Sequence, residues 1–200
     1  QRALGSRMQW VDIAAENSPK QTVISLQTQN ELEICQALRS AKILHKKIDV
    51  SHPFHSRWMQ SAADAFARTL DDDKTDHTAM QQDGDKQRPR MMSTSIKQMI
   101  DARTFCSADY LCKQILSPVY FSSCIKQIFE NECNVILEIG PQPILSKVAS
   151  QCLAEHQSHA LLTIQDRKGS WAHTIKNLSS YENETNTIVN WTPLREKLVG

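Results

Sequence analysis

The chain has 200 residues, 40% of them hydrophobic and 22% charged, with a formal net charge of +1. That length can build one large or two small domains with a real core, and the near-neutral balance excludes an overall field favouring nucleic acid or an anionic membrane surface. No apolar run approaches the roughly 20 residues of a membrane-spanning helix.

Residues 9–15 (QWVDIAA) and 21–26 (QTVISL) read as short strands flanking ENSPK, where Asn17, Ser18 and Pro19 favour a reversal. Residues 30–42 have the spacing of an amphipathic helix, with Leu32, Cys35, Leu38 and Ala41 on one face. Ile43 to Val50 then reads as a strand with Ile48 and Val50 on one side. Strand, turn, strand, helix, strand is the order of a small α/β unit. Residues 57–70 predict a helix, because Met59, Ala62, Ala63, Phe66 and Leu70 recur at helical spacing.

Residues 71–90 contain no Val, Ile, Leu or aromatic side chain. Such a segment cannot bury enough surface to fold by itself, so a mobile surface insertion is expected. A strand is expected near 91–95, and Pro118 breaks the following ADYLCKQILSPVYFSSCIKQIF. Ile125, Ile128 and Phe129 mark a helix after the break. An apolar strand from Val135 to Ile139 meets a Gly-Pro turn, and a helix starts near Pro143, a residue suited to a first helical turn. A strand near 160–164, a helix near 170–180 and a segment around Trp191 complete the order.

The six cysteines, at 35, 106, 112, 124, 133 and 152, make no C-x-x-C pair and no zinc-spaced cluster. They read as free, mostly buried thiols of a reducing compartment. The N-x-S/T triplets at Asn177, Asn183 and Asn190 read as unused. Gln1 opens the sequence without the regions of a secretory leader. The expectation is a cytoplasmic piece of a longer chain.

Chemistry concentrates in IDVSHPFHSRWM, residues 48–59, where His52 and His55 stand three apart. A metal pair, a packed turn and a catalytic base are all open from the residues alone. Metal is disfavoured: Pro53 interrupts any helix carrying both rings, and no third ligand stands out.

Six segments in order make the chain resemble the C-terminal half of a malonyl/acyl-CoA:acyl-carrier-protein transacylase domain, the acyltransferase of animal fatty acid synthases and type I polyketide synthases. IAAENSPKQTVIS is similar to A-x-N-S/G-P-x-x-x-V-I-S-G, and VSHPFHSRWM to V-S-H-A-F-H-S-x-x-M. MMSTSI, ADYLCKQILSPVYF, ILEIGPQPILSKV and NTIVNWTPL match four further motifs. The resemblance implies an α/β fold: a partial α/β-hydrolase-like large subdomain over 51–160, a partial ferredoxin-like small subdomain over 1–50, and a linker over 161–200 that packs on a neighbouring ketosynthase. Departures are Leu26 for Gly, Pro53 for Ala, Leu111 for an aromatic residue, Gln114 for Asn and Gln142 for His.

The resemblance also implies a mechanism. A serine in G-x-S-x-G takes an acyl group from a CoA thioester and passes it to the phosphopantetheine thiol of an acyl carrier protein. His55 would be the general base, since imidazole titrates near neutral pH and can both accept and return a proton. His52 and Phe54 fall where the family selects its extender unit, and a bulky Phe54 favours malonyl over methylmalonyl. A backbone carbonyl near Asn131 would orient the His55 ring; the plain reading of Asn131 is a helix C-cap. EIGPQP, with Gly140, Pro141 and Pro143, reads as a stiff wall of the site. No cofactor is expected in the segment itself. Expected partners are malonyl-CoA, the carrier protein and the ketosynthase, in a homodimeric synthase, with neither nucleic acid nor membrane.

The nucleophile is not in this sequence. Its glycines stand at 5, 84, 140, 169 and 200, no two four apart, so G-x-S-x-G cannot occur. No arginine here aligns with the one that pairs with the malonyl carboxylate. By itself the chain is therefore expected to transfer nothing. The alternative reading is a non-catalytic docking module of a synthase.

Overall fold

The structure is a computed structural model, and it describes residues 2–72, 91–130, 135–140, 142–153, 160–163, 171–186 and 191. The expected insertion therefore lies almost wholly outside the described residues. The chain divides into two compact units, Gln1–Cys124 and Ile125–Gly200.

In the first unit, a 3-10 turn over Gly5–Trp10 leads into β1 (Val11–Ser18), which pairs antiparallel with β2 (Gln21–Leu26). β2 falls where the sequence places it, whereas β1 is displaced: Gln9 and Trp10 belong to the 3-10 turn, and Glu16 to Ser18, expected in the reversal, extend the strand and leave Pro19 and Lys20 as the turn. The register sets Val11 opposite Leu26, Asp12 opposite Ser25 and Ile13 opposite Ile24, then shifts between Ile13 and Ala15. Helix α1 (Glu31–Ser40) closes over this hairpin. The core there is Leu4, Val11 and Ile34, with Met8, Trp10, Ile24, Leu26, Ala37 and Leu38 packed round it.

The inward face of α1 differs from the expected stripe. Ile34 is 1% exposed, whereas Leu32 is 68% exposed. Ile34, Ala37 and Leu38 stand at i, i+3 and i+4, and it is this row that meets the hairpin.

The strand expected from Ile43 to Val50 does not form. Ile43, Leu44, Ile48 and Val50 are 44%, 100%, 53% and 55% exposed. Alternating apolar residues make a strand only beside a partner edge, and among the described residues no strand pairs with this segment. The loop of 51–56 follows it, then a 3-10 turn (Arg57–Met59) and α2 (Gln60–Asp72). Met59 and Ala63 are buried while Phe66 is 37% exposed, so the buried stripe is narrower than the spacing predicts.

Strand β3 (Met91–Ser93) pairs antiparallel with β4 (Gln98–Ile100), a hairpin of which the sequence reading found only the first strand. Lys97 enters β4 at φ +58°, a conformation sequence periodicity does not flag. Short helix α3 (Ala102–Phe105) is capped by Asp101, which accepts the Thr104 N–H at 2.7 Å. Helix α4 (Ala108–Leu116) is capped by Ser107, which accepts the Tyr110 N–H at 3.3 Å. It packs on α2 and stops before Pro118; α5 (Phe121–Glu130) then begins. Val119 donates to Ala14 O at 2.9 Å and accepts from Glu16 N at 2.9 Å, which ties the chain after Pro118 to β1.

In the second unit, β5 (Val135–Glu138) and β6 (Ala160–Thr163) pair in parallel, with α6 (Leu145–Ser150) and α7 (Trp171–Thr185) against them. Parallel neighbours need a crossover, and α6 lies within it. The Glu138 carboxylate accepts the N–H groups of Ile144 at 3.0 Å and of Leu145 and Ser146 at 2.9 Å each. Burial works to raise the Glu138 pKa, but the backbone donors of Ser146, Leu145 and Ile144 outweigh it, and the group lies below its ordinary value. The expected linker region thus contains a helix on this sheet, and Trp191 Nε1 donates to Glu182 Oε1 at 3.1 Å. Among the described residues no helix is long and apolar enough to cross a membrane.

Candidate functional site

The loop SHPFHS (51–56) has no regular structure, so hydrogen bonds from its surroundings define it. His55 is half-buried and adopts φ +56°, the left-handed region that a non-glycine residue rarely enters. Its Nδ1 lies 3.1 Å from Gln114 O and 3.0 Å from Ser117 O. Carbonyl oxygens only accept, so Nδ1 carries the proton and donates. In the neutral ring Nε2 is then left with a free lone pair, the form a general base requires.

Helix chemistry explains why those two carbonyls are available. The oxygen of residue 114 would ordinarily accept from the N–H of residue 118, which is Pro118 and has none. Ser117, just before the proline, turns extended at ψ 145° after its N–H closes on Lys113 O at 2.8 Å. Pro118 thereby ends α4 with two unclaimed acceptors, and His55 takes both.

Gln114 is itself held from behind. Its Nε2 donates to the Tyr110 hydroxyl, which donates to Ser93 Oγ at 2.8 Å. Ser93 Oγ also pairs with Ser95 Oγ at 3.0 Å and accepts the Ile96 N–H at 3.4 Å. Cys124 Sγ donates to Ser93 O at 3.5 Å. Burial pushes the Cys124 thiol pKa up, against the smaller opposing effect of the Lys97 charge, so this sulfur stays protonated and packs.

The loop is gripped from the hairpin side as well. Ser25 Oγ donates to Phe54 O at 2.7 Å, and Ser56 Oγ donates to Pro53 O. Asp12 Oδ2 accepts the Arg57 N–H at 2.7 Å, while Oδ1 pairs with Arg57 Nη2 at 2.7 Å. The same guanidinium donates to Gln9 O at 3.2 Å and Val11 O at 3.1 Å.

His52 and Phe54 come together: their ring centres are 5.9 Å apart with planes inclined at 51°. Both are exposed, Phe54 at 46%, and His52 Nδ1 lies 2.8 Å from Ser51 Oγ. Among the described residues no group of three or more His, Cys, Asp or Glu side chains could hold a metal ion. Asn131, near which a carbonyl is expected to orient His55, lies outside the described residues; among the described residues the carbonyls at His55 Nδ1 are those of Gln114 and Ser117. The sequence signal for that pair is Pro118, four residues after Gln114. Asp12, Ser25 and Arg57 were also missed, because their roles arise from strand register rather than from any local motif.

A mixed α/β scaffold of this form is that of acyltransferase domains. It superposes on the acyltransferase domain of the second module of the salinomycin polyketide synthase with a TM-score of 0.76 at 22% identity, covering 100% of this chain and 45% of that one. A malonyl-transacylase solved in complex with its type II polyketide synthase acyl-carrier protein gives 0.68 at 20% identity, covering 90% of this chain and 53% of that one. In sequence, a highly reducing polyketide synthase of a Fusarium species is 26% identical over 157 residues, 76% of this chain. The chain spans only 6% of that synthase's length. The chain belongs to the acyl transferase domain family, whose model matches residues 4–185.

Proposed function

We propose that this chain supplies the base-bearing half of an acyltransferase site that moves malonyl groups from CoA to an acyl carrier protein. The observation that carries the reading is the His55 ring, with Nδ1 committed to Gln114 O and Ser117 O and Nε2 left free. In the proposed reaction Nε2 takes the proton of a serine hydroxyl as its oxygen attacks the malonyl thioester carbonyl. The C–S bond breaks, and the proton passes to the departing CoA sulfur. In the second half Nε2 takes the proton of the carrier's phosphopantetheine thiol. That sulfur attacks the acyl ester, and the serine oxygen leaves with the proton returned. No G-x-S-x-G occurs in these 200 residues, so the serine comes from sequence outside them.

His52 and Phe54 form the exposed aromatic edge of the same loop. Placed beside the acyl group, Phe54 would crowd a C2 branch and favour malonyl. The finer architecture in this reading is a partial hydrolase-like subdomain with a ferredoxin-like one, followed by a linker that meets a ketosynthase in a dimeric cytoplasmic synthase. The missing nucleophile favours a second reading, a docking module without chemistry of its own. The test is malonyl transfer to a carrier protein by a polypeptide containing both His55 and a G-x-S-x-G serine. His55→Ala is expected to slow transfer by about 10²–10⁴-fold, the usual contribution of a positioned base. Transfer at the wild-type rate refutes the assignment.

A further inference from the structure

We propose that Asp12 and Ser25 are positioning residues that hold His55 in its working conformation, an inference that rests on the reading of His55 as the base. The two residues face each other across the β1–β2 ladder. From that shared rung they grip the loop on either side of His55. Ser25 Oγ donates to the carbonyl of Phe54, the residue before it, at 2.7 Å. Asp12 Oδ2 accepts the N–H of Arg57, two residues after it, at 2.7 Å, and Oδ1 anchors the Arg57 guanidinium at 2.7 Å.

Between these grips His55 sits at φ +56°. A β-carbon in the left-handed region meets the following carbonyl, so the conformation persists only where the surroundings over-determine it. Released at either end, the peptide planes flanking His55 relax toward negative φ. The direction of the Cα–Cβ bond changes with them, and the imidazole leaves the carbonyls of Gln114 and Ser117. The same hairpin also holds that carbonyl shelf, through the pairing of Val119 with Ala14 and Glu16 on β1. One element therefore fixes both the ring and the groups that choose its tautomer. Ser25 is 9% exposed, so its bond is the better shielded of the two; the Asp12 side chain is 23% exposed and the Arg57 side chain 55%, so that grip is nearer to solvent and relies on two contacts.

The test is a long-range ¹H–¹⁵N spectrum of the 200-residue chain labelled at histidine, which distinguishes a protonated Nδ1 from a protonated Nε2 without substrate. Wild type is expected to show His55 as a single Nδ1–H tautomer. Ser25→Ala and Asp12→Ala are expected to lose that signature and show an averaged ring, while amide signals of α4 keep their dispersion. Ser25→Thr, which retains the hydroxyl donor, is expected to restore it, and Glu33→Ala, which removes an unrelated surface ion pair with Arg7, to leave it unchanged. An unaltered His55 spectrum in Ser25→Ala and Asp12→Ala overturns the proposal, and so does failure of Ser25→Thr to restore it. If Ser25→Ala does not fold, Asp12→Ala decides by the same criterion; if neither folds, Ser25→Thr decides by the presence or absence of the wild-type signature. Because the readout is independent of transfer, a fixed His55 tautomer together with wild-type transfer by His55→Ala refutes the base and not the clamp.

Discussion

Tyr110→Phe isolates the support behind the base. The ring is 5% exposed, so phenylalanine keeps the packing and removes only the hydroxyl. That hydroxyl donates to Ser93 Oγ at 2.8 Å and accepts from Gln114 Nε2. Two hydrogen bonds are lost. Ser93, 2% exposed, keeps Ser95 and Ile96 as partners, but the Gln114 amide loses its acceptor. Gln114 is half-buried, so its amide can turn to water, and each of the two net neutral bonds contributes about 0.5–1.5 kcal/mol. The expected loss is therefore about 1–3 kcal/mol. Urea unfolding followed by circular dichroism reads this as a lower midpoint at unchanged slope; at a slope of about 2 kcal/mol/M the shift is roughly 0.5–1.5 M. Ser93→Ala combined with Tyr110→Phe is expected to cost less than the sum of the two, since they share one bond. A Tyr110→Phe midpoint equal to wild type, or strict additivity with Ser93→Ala, refutes the network.

Ile34→Ala is expected to destabilise the first unit by about 2–5 kcal/mol and Leu32→Ala by no more than about 0.5 kcal/mol, measured by the same unfolding; the reverse order restores the originally expected helix face. Pro118→Ala provides an N–H four residues after Gln114 and releases Ser117 from its extended bias. It is expected to cost His55 one of its two acceptors, and solvent exchange of the Nδ1 proton should rise about 2–10-fold for a bond of about 0.5–1.5 kcal/mol. The Glu138 carboxyl has its pKa lowered in the fold, so its contribution to stability is fully present above the ordinary carboxylate value of about 4.3 and is lost as pH falls through the folded value. Glu138→Gln is expected to lower the neutral-pH unfolding midpoint of the second unit and to flatten its acid limb; an acid limb as steep as wild type counts against the cap.

Much of this was legible in the sequence because it is local. The existence of the β1–β2 hairpin followed from two strand-like runs on either side of Pro19, and the end of α4 from Pro118. His55 was singled out by the order of six motifs. What was not legible depends on partners distant in sequence. The 43–50 segment has strand-like alternation, yet alternation does not supply an edge to pair with. The expected stripe on α1 shares Leu38 with the inward row but takes Leu32 where Ile34 packs; the two are similarly apolar, and only the hairpin beneath decides between them. The carbonyls facing His55 lie 59 and 62 residues away; Pro118 marks the helix end that frees them, but nothing in the sequence pairs that end with His55. Asp12 and Ser25 become a pair only through strand register.

The most direct measurement is malonyl transfer from CoA to an acyl carrier protein by a polypeptide that unites this chain with a G-x-S-x-G serine, compared with its His55→Ala and His52→Ala variants. A loss of about 10²–10⁴-fold is expected for His55→Ala, with a smaller, acyl-group-dependent change for His52→Ala. Wild-type transfer by His55→Ala, or an equal loss from both variants, contradicts His55 as the base.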